Sequence, residues 1–82
     1  MFNQTKYVVM RDRMSNTEVA FVFSNLVVHA DVGRRMYGEP VSAGFVIISP
    51  DCEVKVTGRS ESLNLDNRGE VDEEIIKRAF NW

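Results

Sequence analysis

Two short runs of apolar residues open the pattern of hydrophobic and polar positions along the chain. Residues 7–10 are Tyr-Val-Val-Met, and residues 18–23 are Glu-Val-Ala-Phe-Val-Phe. Both runs are rich in β-branched and aromatic side chains, which favour strands. The polar residues 14–17 between them are typical of a turn. The pattern therefore predicts an antiparallel hairpin at the start of the chain.

Helical spacing of apolar residues follows this hairpin. We predict a helix of about three turns with Ser24 as its N-cap, because a serine hydroxyl can accept from an early helical N–H. Gly38, with Pro40 after it, is placed to end the helix. The apolar positions of its expected face are Leu26, Val28, Ala30, Val32, Gly33, Met36 and Tyr37.

Residues 41–49 form the strongest predicted strand. They alternate between two faces that are both mostly apolar, which is typical of a central strand or of a strand at a subunit contact. A turn at 49–52 and the alternating residues 53–57 predict a second hairpin. Residues 62–65 are expected to add a short strand.

The last predicted element is a helix that begins near Asn67. Asn67 is the expected N-cap, and Glu70 completes a pattern that resembles a capping box. Acidic residues at 72–74 and basic residues at 77–78 suit the two ends of the helix dipole. The predicted order is β-β-α-β-β-α, an α+β fold with an antiparallel four- to five-stranded sheet and two helices on one face.

Size and composition narrow the possible classes of protein. The 82 residues make one domain, and the net charge of −2 argues against a duplex nucleic-acid binder. No apolar run is long enough for a membrane span, and one cysteine with one histidine excludes the usual zinc sites. We expect no cofactor, a cytoplasmic location and a homo-oligomer, since a chain this short has little core of its own.

Residues 58–70 contain the chemistry that most suggests a ligand. Arg59 and Arg68 flank a segment that contains Ser60, Ser62 and Asn64. Guanidinium and hydroxyl groups both bond phosphate or carboxylate oxygens, so this mixture indicates an anion site. The alternative is that the polar side chains satisfy loop backbone and that the arginines pair with neighbouring carboxylates.

Three other candidates are weaker. His29 with Asp31 or Ser24 could act as a general base, but side chains two apart on a helix face different directions. A structural histidine is the favoured interpretation. The basic and aromatic residues 34–37 could stack on a base, or could simply end a helix. Cys52 is rejected as a reactive thiol because its acidic neighbours would raise the pKa of the thiol.

Several motifs together resemble a group of small phage and prophage proteins over residues 20–78. They are Phe-Ser-Asn-Leu at 23–26, Ser-Ala-Gly-Phe at 42–45 and Gly-Arg-Ser-Glu-Ser-Leu-Asn-Leu at 58–65. This group is similar to phage anti-defence sponge proteins, with the family that counters Thoeris immunity as the nearest named case. At residues 67–71 the chain reads Asn-Arg-Gly-Glu-Val, where many members carry Ser-Arg-Pro-Glu-Asp.

The resemblance implies an oligomer that sequesters host nucleotide signals, such as cyclic ADP-ribose isomers, without cleaving them. It also implies arginine-lined pockets at subunit contacts, with Arg59 and Arg68 at the matching positions.

Three function hypotheses remain open from the sequence. The first is a non-enzymatic module that binds a cyclic nucleotide or cyclic ADP-ribose type of signal. The expected ligand-binding residues, with Phe45 or Tyr37 stacking on a base, are Arg59, Ser60, Ser62, Asn64, Arg68, Phe45 and Tyr37. The second is an oligomeric protein-interaction module without a small ligand, suggested by the two-faced strand at 41–48 and by residues 80–82. The third is a small hydrolase that uses His29, and no catalytic set supports it.

Overall fold

The computed structural model describes residues 5–24, 26–35, 38–51 and 53–80. The elements in these ranges are β1 (Thr5–Arg11), β2 (Glu18–Phe23), α1 (His29–Arg35), β3 (Glu39–Ile48), β4 (Val54–Thr57), β5 (Arg59–Ser60), β6 (Leu65–Asp66) and α2 (Glu70–Ala79). Four strands form a sheet in the order β2-β1-β3-β4, and the very short strands β5 and β6 form a separate pair.

All neighbouring strands of the four-stranded sheet are antiparallel. The two predicted hairpins, β1–β2 and β3–β4, are both present, and β1 lies beside β3 at the centre of the sheet. The predicted α+β fold, with a four-stranded antiparallel sheet and two helices, is therefore confirmed. In place of a strand at 62–65, the chain forms the β5–β6 pair with a turn between its strands.

The two helices cover opposite faces of the sheet, whereas the sequence led us to expect both on one face. Ile75 and Ile76 of α2 pack in one cluster with Tyr7 of β1. Val32 of α1 packs in a second cluster with Val8, the next residue of β1. Since neighbouring residues of a strand point to opposite faces, the helices lie on different sides. Residues 7–10 are all buried, and such a strand needs cover on both of its faces.

Helix α1 begins at His29, five residues after the predicted cap Ser24. The Ser24 hydroxyl accepts from the N–H of Leu26 at 3.2 Å, and the Ser24 carbonyl accepts from Val27 at 3.0 Å. These bonds stabilise a turn instead of a helical start. Leu26 is 90% exposed, so the predicted apolar face does not extend to it. Tyr37 and Met36 lie outside the described residues.

Helix α2 begins differently from the predicted capping box. Gly69 is the N-cap, at a φ of 59°, and no side chain caps it. The Asn67 amide instead accepts from the N–H of Gly69 at 2.9 Å and donates to the carbonyl of Gly58 at 2.8 Å. Asp72, in place of Glu70, reaches back to the backbone N–H of Arg68 at 3.0 Å.

Candidate functional site

An open cavity of about 450 Å³ lies beside β1 and β3, on the face of the sheet away from α2. Strand β1 contributes Lys6, and β3 contributes Phe45, which is the direct partner of Lys6 in the β1–β3 register. The remaining walls come from the start of α1 and from the β5–β6 hairpin. The lining residues are Lys6, Val28, His29, Phe45, Arg59, Glu61 and Ser62.

Two serines hold the β5–β6 hairpin in place, and one of them bonds α1. Ser60 is fully buried, and its Oγ accepts from the N–H of Leu63 at 3.1 Å. The Oγ of Ser62 lies 3.4 Å from the Oγ of Ser60 and accepts from the N–H of Ala30 at 3.1 Å. Ser60 therefore stabilises the hairpin without lining the cavity. Ser62 joins the hairpin to the helix and lines the cavity itself.

Arg59 lines the cavity with a guanidinium group that other hairpin residues orient. Its Nη2 donates to Oδ1 of Asn64 at 2.5 Å, and its Nε lies 3.4 Å from Oδ1 of Asp66. The side chain of Arg59 is 44% exposed. These contacts use part of the five donors of a guanidinium, so Arg59 keeps donors for a ligand. Asn64 orients Arg59 and is not part of the lining.

The aromatic wall consists of the rings of His29 and Phe45, with Phe23 packed behind His29. His29 packs edge-to-face between Phe23, at a centroid distance of 5.5 Å, and Phe45, at 5.7 Å. Its Nε2 lies 2.9 Å from the carbonyl oxygen of Gly44. Because a carbonyl only accepts, Nε2 carries a proton and donates it. Burial lowers the pKa of His29 below its usual value, so the ring is neutral at pH 7.

The charges of the lining favour an anion. Lys6 and Arg59 contribute two positive charges, and Glu61 contributes one negative charge. The ammonium group of Lys6 is held by a bond to the carbonyl of Val27 at 2.9 Å, which leaves two of its donors unused in the described part of the chain. The cavity therefore combines a net positive charge with an apolar wall.

Arg68 lies on the other face of the sheet, in a buried polar network around Asp72. Its Nε donates to Oδ1 of Asp72 at 2.9 Å, and its two Nη groups donate to the carboxylate of Glu18 at 3.3 and 2.9 Å. Asp72 is fully buried and also accepts from the hydroxyls of Tyr7, at 2.5 Å, and Ser42, at 2.8 Å. The guanidinium of Arg68 is thus committed to two carboxylates and does not line the cavity.

The pKa values in this network follow from burial and charge. Burial, with the bond to Asp72, raises the pKa of the Tyr7 phenol far above its usual value. Hydrogen bonds from Arg68 and Arg11 lower the pKa of Glu18. Arg11 faces Glu18 directly across the hairpin, and their ion pair is 2.7 Å long. The Tyr7 phenol therefore stays protonated and the Glu18 carboxylate stays ionised at pH 7.

The structure therefore separates the predicted ligand-binding residues into groups. Phe45, Arg59 and Ser62 line one cavity, while Ser60 and Asn64 support its wall. Arg68 lies in the Asp72 network, and Tyr37 falls outside the described residues. Four lining residues were not predicted from the sequence, namely Lys6, Val28, His29 and Glu61.

The sequence gives only partial evidence that Lys6 and His29 line the cavity. Lys6 precedes the first apolar run, and its place opposite Phe45 depends on a register that the sequence does not display. His29 was weighed as a base beside Asp31 or Ser24, yet in the described residues its ring nitrogen bonds the Gly44 carbonyl.

Neither a metal site nor a membrane span is found in the ranges that the structure describes. No three His, Cys, Asp or Glu side chains there are grouped so that they could hold a metal ion. No helix in these ranges combines the length and the apolar character that crossing a membrane requires.

Comparisons of the chain with protein-family models, with curated proteins and with solved structures give no match.

Proposed function

We propose that this protein is a non-enzymatic module that binds and sequesters a small nucleotide-derived signal in the cavity around Arg59. One observation carries the proposal: the cavity places two cations, Lys6 and Arg59, beside the ring of Phe45. A nucleotide joins an anionic phosphate to a flat aromatic base, and these two wall types match its two parts.

The size of the cavity suits such a ligand. Small-molecule sites usually occupy about 300–1,000 Å³, and the volume of about 450 Å³ lies in the lower part of this range. A mononucleotide or a compact cyclic nucleotide is of the matching size. The cavity is open on one side, so a second subunit placed over it would complete the enclosure, as the resemblance to sponge proteins implies.

The contacts of a single chain supply part of the binding free energy that sequestration needs. A hydrogen bond to a charged group contributes about 1.5–3 kcal/mol, and a base stacked on an aromatic ring contributes about 1–3 kcal/mol. Two cationic contacts and one stacking contact together supply roughly 4–9 kcal/mol, against a cost of about 4–15 kcal/mol for immobilising the ligand. Micromolar affinity corresponds to a net value of about 8 kcal/mol, so we expect weak binding by a single chain and tight binding where a second subunit closes the site.

Sequestration, and not turnover, is the role that we propose for the bound state. The lining shows no nucleophile paired with a base, since among the described residues the Ser62 hydroxyl bonds the Ala30 N–H and Ser60 and makes no bond to the His29 ring. Sequestration of an immune signal in the host cytoplasm, by a phage protein, is the biological form of this activity that the resemblance implies.

Calorimetry with a small ligand panel tests the proposal. The panel is AMP, cyclic AMP and ADP-ribose, with adenosine and pyrophosphate as the base-only and anion-only controls. We expect the nucleotides to bind more tightly than either control, and the bound nucleotide to be recovered intact after denaturation. No heat with any nucleotide at micromolar protein would contradict the proposal, and so would recovery of a cleaved product.

A second candidate function, self-association through the edge strand β2, is favoured by a difference between the two edges of the sheet. At the β4 edge, Glu73 of α2 accepts the outward N–H of Val56 at 3.1 Å and so blocks pairing. At the other edge, the Asp12 N–H bonds the Thr17 carbonyl at 2.9 Å. Because backbone groups alternate along an antiparallel strand, the N–H and C=O groups of Glu18, Ala20 and Val22 then point away from β1.

A second copy of the chain is the partner that this edge fits. The outward N–H and C=O groups of β2 have no bonding partner within the described ranges, and the same groups on a two-fold-related β2 would complement them. We therefore propose a homodimer with a continuous sheet, which is compatible with ligand binding on one face.

Lysine substitution separates this interface from the rest of the surface. Val19 on β2 is 44% exposed, and Val71 on α2 is 53% exposed, so the two sites are matched in chemistry and accessibility. We expect Val19→Lys to produce monomers in analytical ultracentrifugation, because lysine on an edge strand opposes pairing. Val71→Lys should stay dimeric. A monomeric wild type at about 100 µM, or a dimeric Val19→Lys, would overturn the proposed interface.

A further inference from the structure

We propose that His29 is a specificity-determining residue whose Nδ1 accepts a hydrogen bond from an N–H group on the base of the bound nucleotide. The inference rests on the proposed function, and it narrows the ligand to nucleotides whose base can donate at this position. It gives a role to a ring that the sequence suggested only as a base or a structural side chain.

The tautomer of His29 follows from its one hydrogen bond. Nε2 must donate to the Gly44 carbonyl at 2.9 Å, so the neutral ring leaves Nδ1 as an acceptor with a lone pair. No hydrogen bond of Nδ1 to a described residue is found, and no fully buried side-chain nitrogen or oxygen of the described residues lacks a partner. Since His29 lines the cavity, Nδ1 is the ring atom left to bond a ligand.

Several charged groups belong to the elements around this ring, and Lys6 is the one that acts on its pKa. Lys6 comes from β1, Arg59 from β5 and Glu61 from the β5–β6 turn, while Asp31 lies on the same helix as His29. Burial is the main cause of the lowered pKa of His29. The bond to the Gly44 carbonyl raises the pKa, and the charge of Lys6 lowers it. A third positive charge beside Lys6 and Arg59 is unfavourable, so the ring stays a neutral acceptor.

The neutral acceptor and the two cations in the cavity attract different parts of a nucleotide. The phosphate is drawn to Lys6 and Arg59, which only donate. The Nδ1 lone pair of His29 repels the phosphate oxygens and attracts an N–H donor, so it selects the orientation in which the base meets the aromatic wall. AMP, with its exocyclic amine, should bind more tightly than purine riboside 5′-monophosphate, which lacks that amine.

Nitrogen NMR reads the role of His29 directly, because this chain contains a single histidine. Protein labelled with ¹⁵N-histidine should show the proton on Nε2 in the absence of ligand. Addition of cyclic AMP should shift the Nδ1 resonance, as an accepted hydrogen bond requires, with the tautomer unchanged. An Nδ1 proton in the free protein, or an Nδ1 resonance that does not respond to bound cyclic AMP, would overturn the inference.

The pH dependence of binding gives a second test with an unambiguous sign. Cyclic AMP is a phosphodiester, so its charge is constant near neutral pH. Protonation of His29 removes the acceptor, and we expect the affinity to fall as the pH falls through the depressed pKa of His29. An affinity that rises on acidification would show the imidazolium pairing with the phosphate, and it would overturn the inference.

Two amide variants isolate the Nδ1 contact from the packing of the ring. The amide nitrogen of His29→Gln lies as many bonds from Cα as Nε2, so it can keep the Gly44 bond while leaving no acceptor at the Nδ1 position. The amide oxygen of His29→Asn lies at the Nδ1 position and keeps the acceptor. We expect affinity for cyclic AMP to fall roughly three- to tenfold in His29→Gln, with no remaining pH dependence, and less in His29→Asn.

The outcomes separate the inference from the function on which it rests. Wild-type affinity in His29→Gln, with binding intact, would overturn the role of His29 alone. Absence of binding by every nucleotide in the wild-type protein would overturn both.

Discussion

Replacing Asp72 with asparagine is expected to destabilise the fold by about 3–5 kcal/mol, the typical cost of removing one partner from a buried ion pair. The carboxylate accepts four hydrogen bonds, from the Tyr7 and Ser42 hydroxyls and from two nitrogens of Arg68. An amide of the same shape can accept at one atom only, and its NH₂ group would face other donors. Arg68 would also lose its buried counter-charge.

The expected loss is large relative to the total free energy of unfolding of so small a domain. Domains have about 0.05–0.15 kcal/mol of stability per residue, which gives roughly 4–12 kcal/mol for this chain. Urea denaturation followed by circular dichroism measures the change, with Glu74→Gln as the matched control on the same helix. The side chain of Glu74 is 64% exposed and pairs weakly with Lys77 at 3.6 Å, so that variant should lie within about 0.5 kcal/mol of wild type. Equal stability of the two variants would show that the Asp72 network does not hold the fold.

The sequence pattern was sufficient for the strands of the four-stranded sheet, because the apolar side chains of those strands indicate which faces are buried. An uninterrupted apolar run at 7–10 and a strand at 41–48 that is apolar on both faces are what the two central strands require. The same observation, taken further, implies cover on both faces, so the placement of the two helices could have followed from it. The helix starts were less predictable, since several polar side chains compete for the same backbone donors, as Ser24 and Asn67 do.

The site was only partly predictable, because the sequence does not show which charged side chains pair with each other in the fold. Asp72 and Glu74 belong to one acidic run in the sequence, yet one is buried and the other exposed. Arg68 bonds Glu18, fifty positions earlier in the chain, through a fold-dependent contact that no local pattern displays. Arg59 pairs within its own hairpin, which the local polarity of the segment did indicate. Two arginines from one motif therefore have different roles.

Alanine substitutions of these two arginines should have opposite consequences. Arg59→Ala should weaken the binding of cyclic AMP by about 10- to 150-fold, because it removes a charge-assisted contact of about 1.5–3 kcal/mol. Its ion pair with Asp66 is exposed, so the stability of the fold should change by less than about 1 kcal/mol. Arg68→Ala should destabilise the fold by several kcal/mol, since it strips a buried carboxylate of its counter-charge, and the molecules that remain folded should bind with wild-type affinity.

Calorimetry and urea denaturation on the same preparations measure both effects, and Arg13→Ala controls for the loss of one positive charge. Arg13 is exposed in the turn between β1 and β2 and does not line the cavity, so its variant should match wild type in both measurements. If Arg68→Ala weakened binding as much as Arg59→Ala at temperatures where both are folded, the ligand would have to reach the other face of the sheet, and the cavity around Arg59 would not be its site. If Arg59→Ala bound normally, the phosphate would have to rest on Lys6 alone. The crossed result, with affinity lost in one variant and stability in the other, follows only when the two arginines act on opposite sides of one sheet.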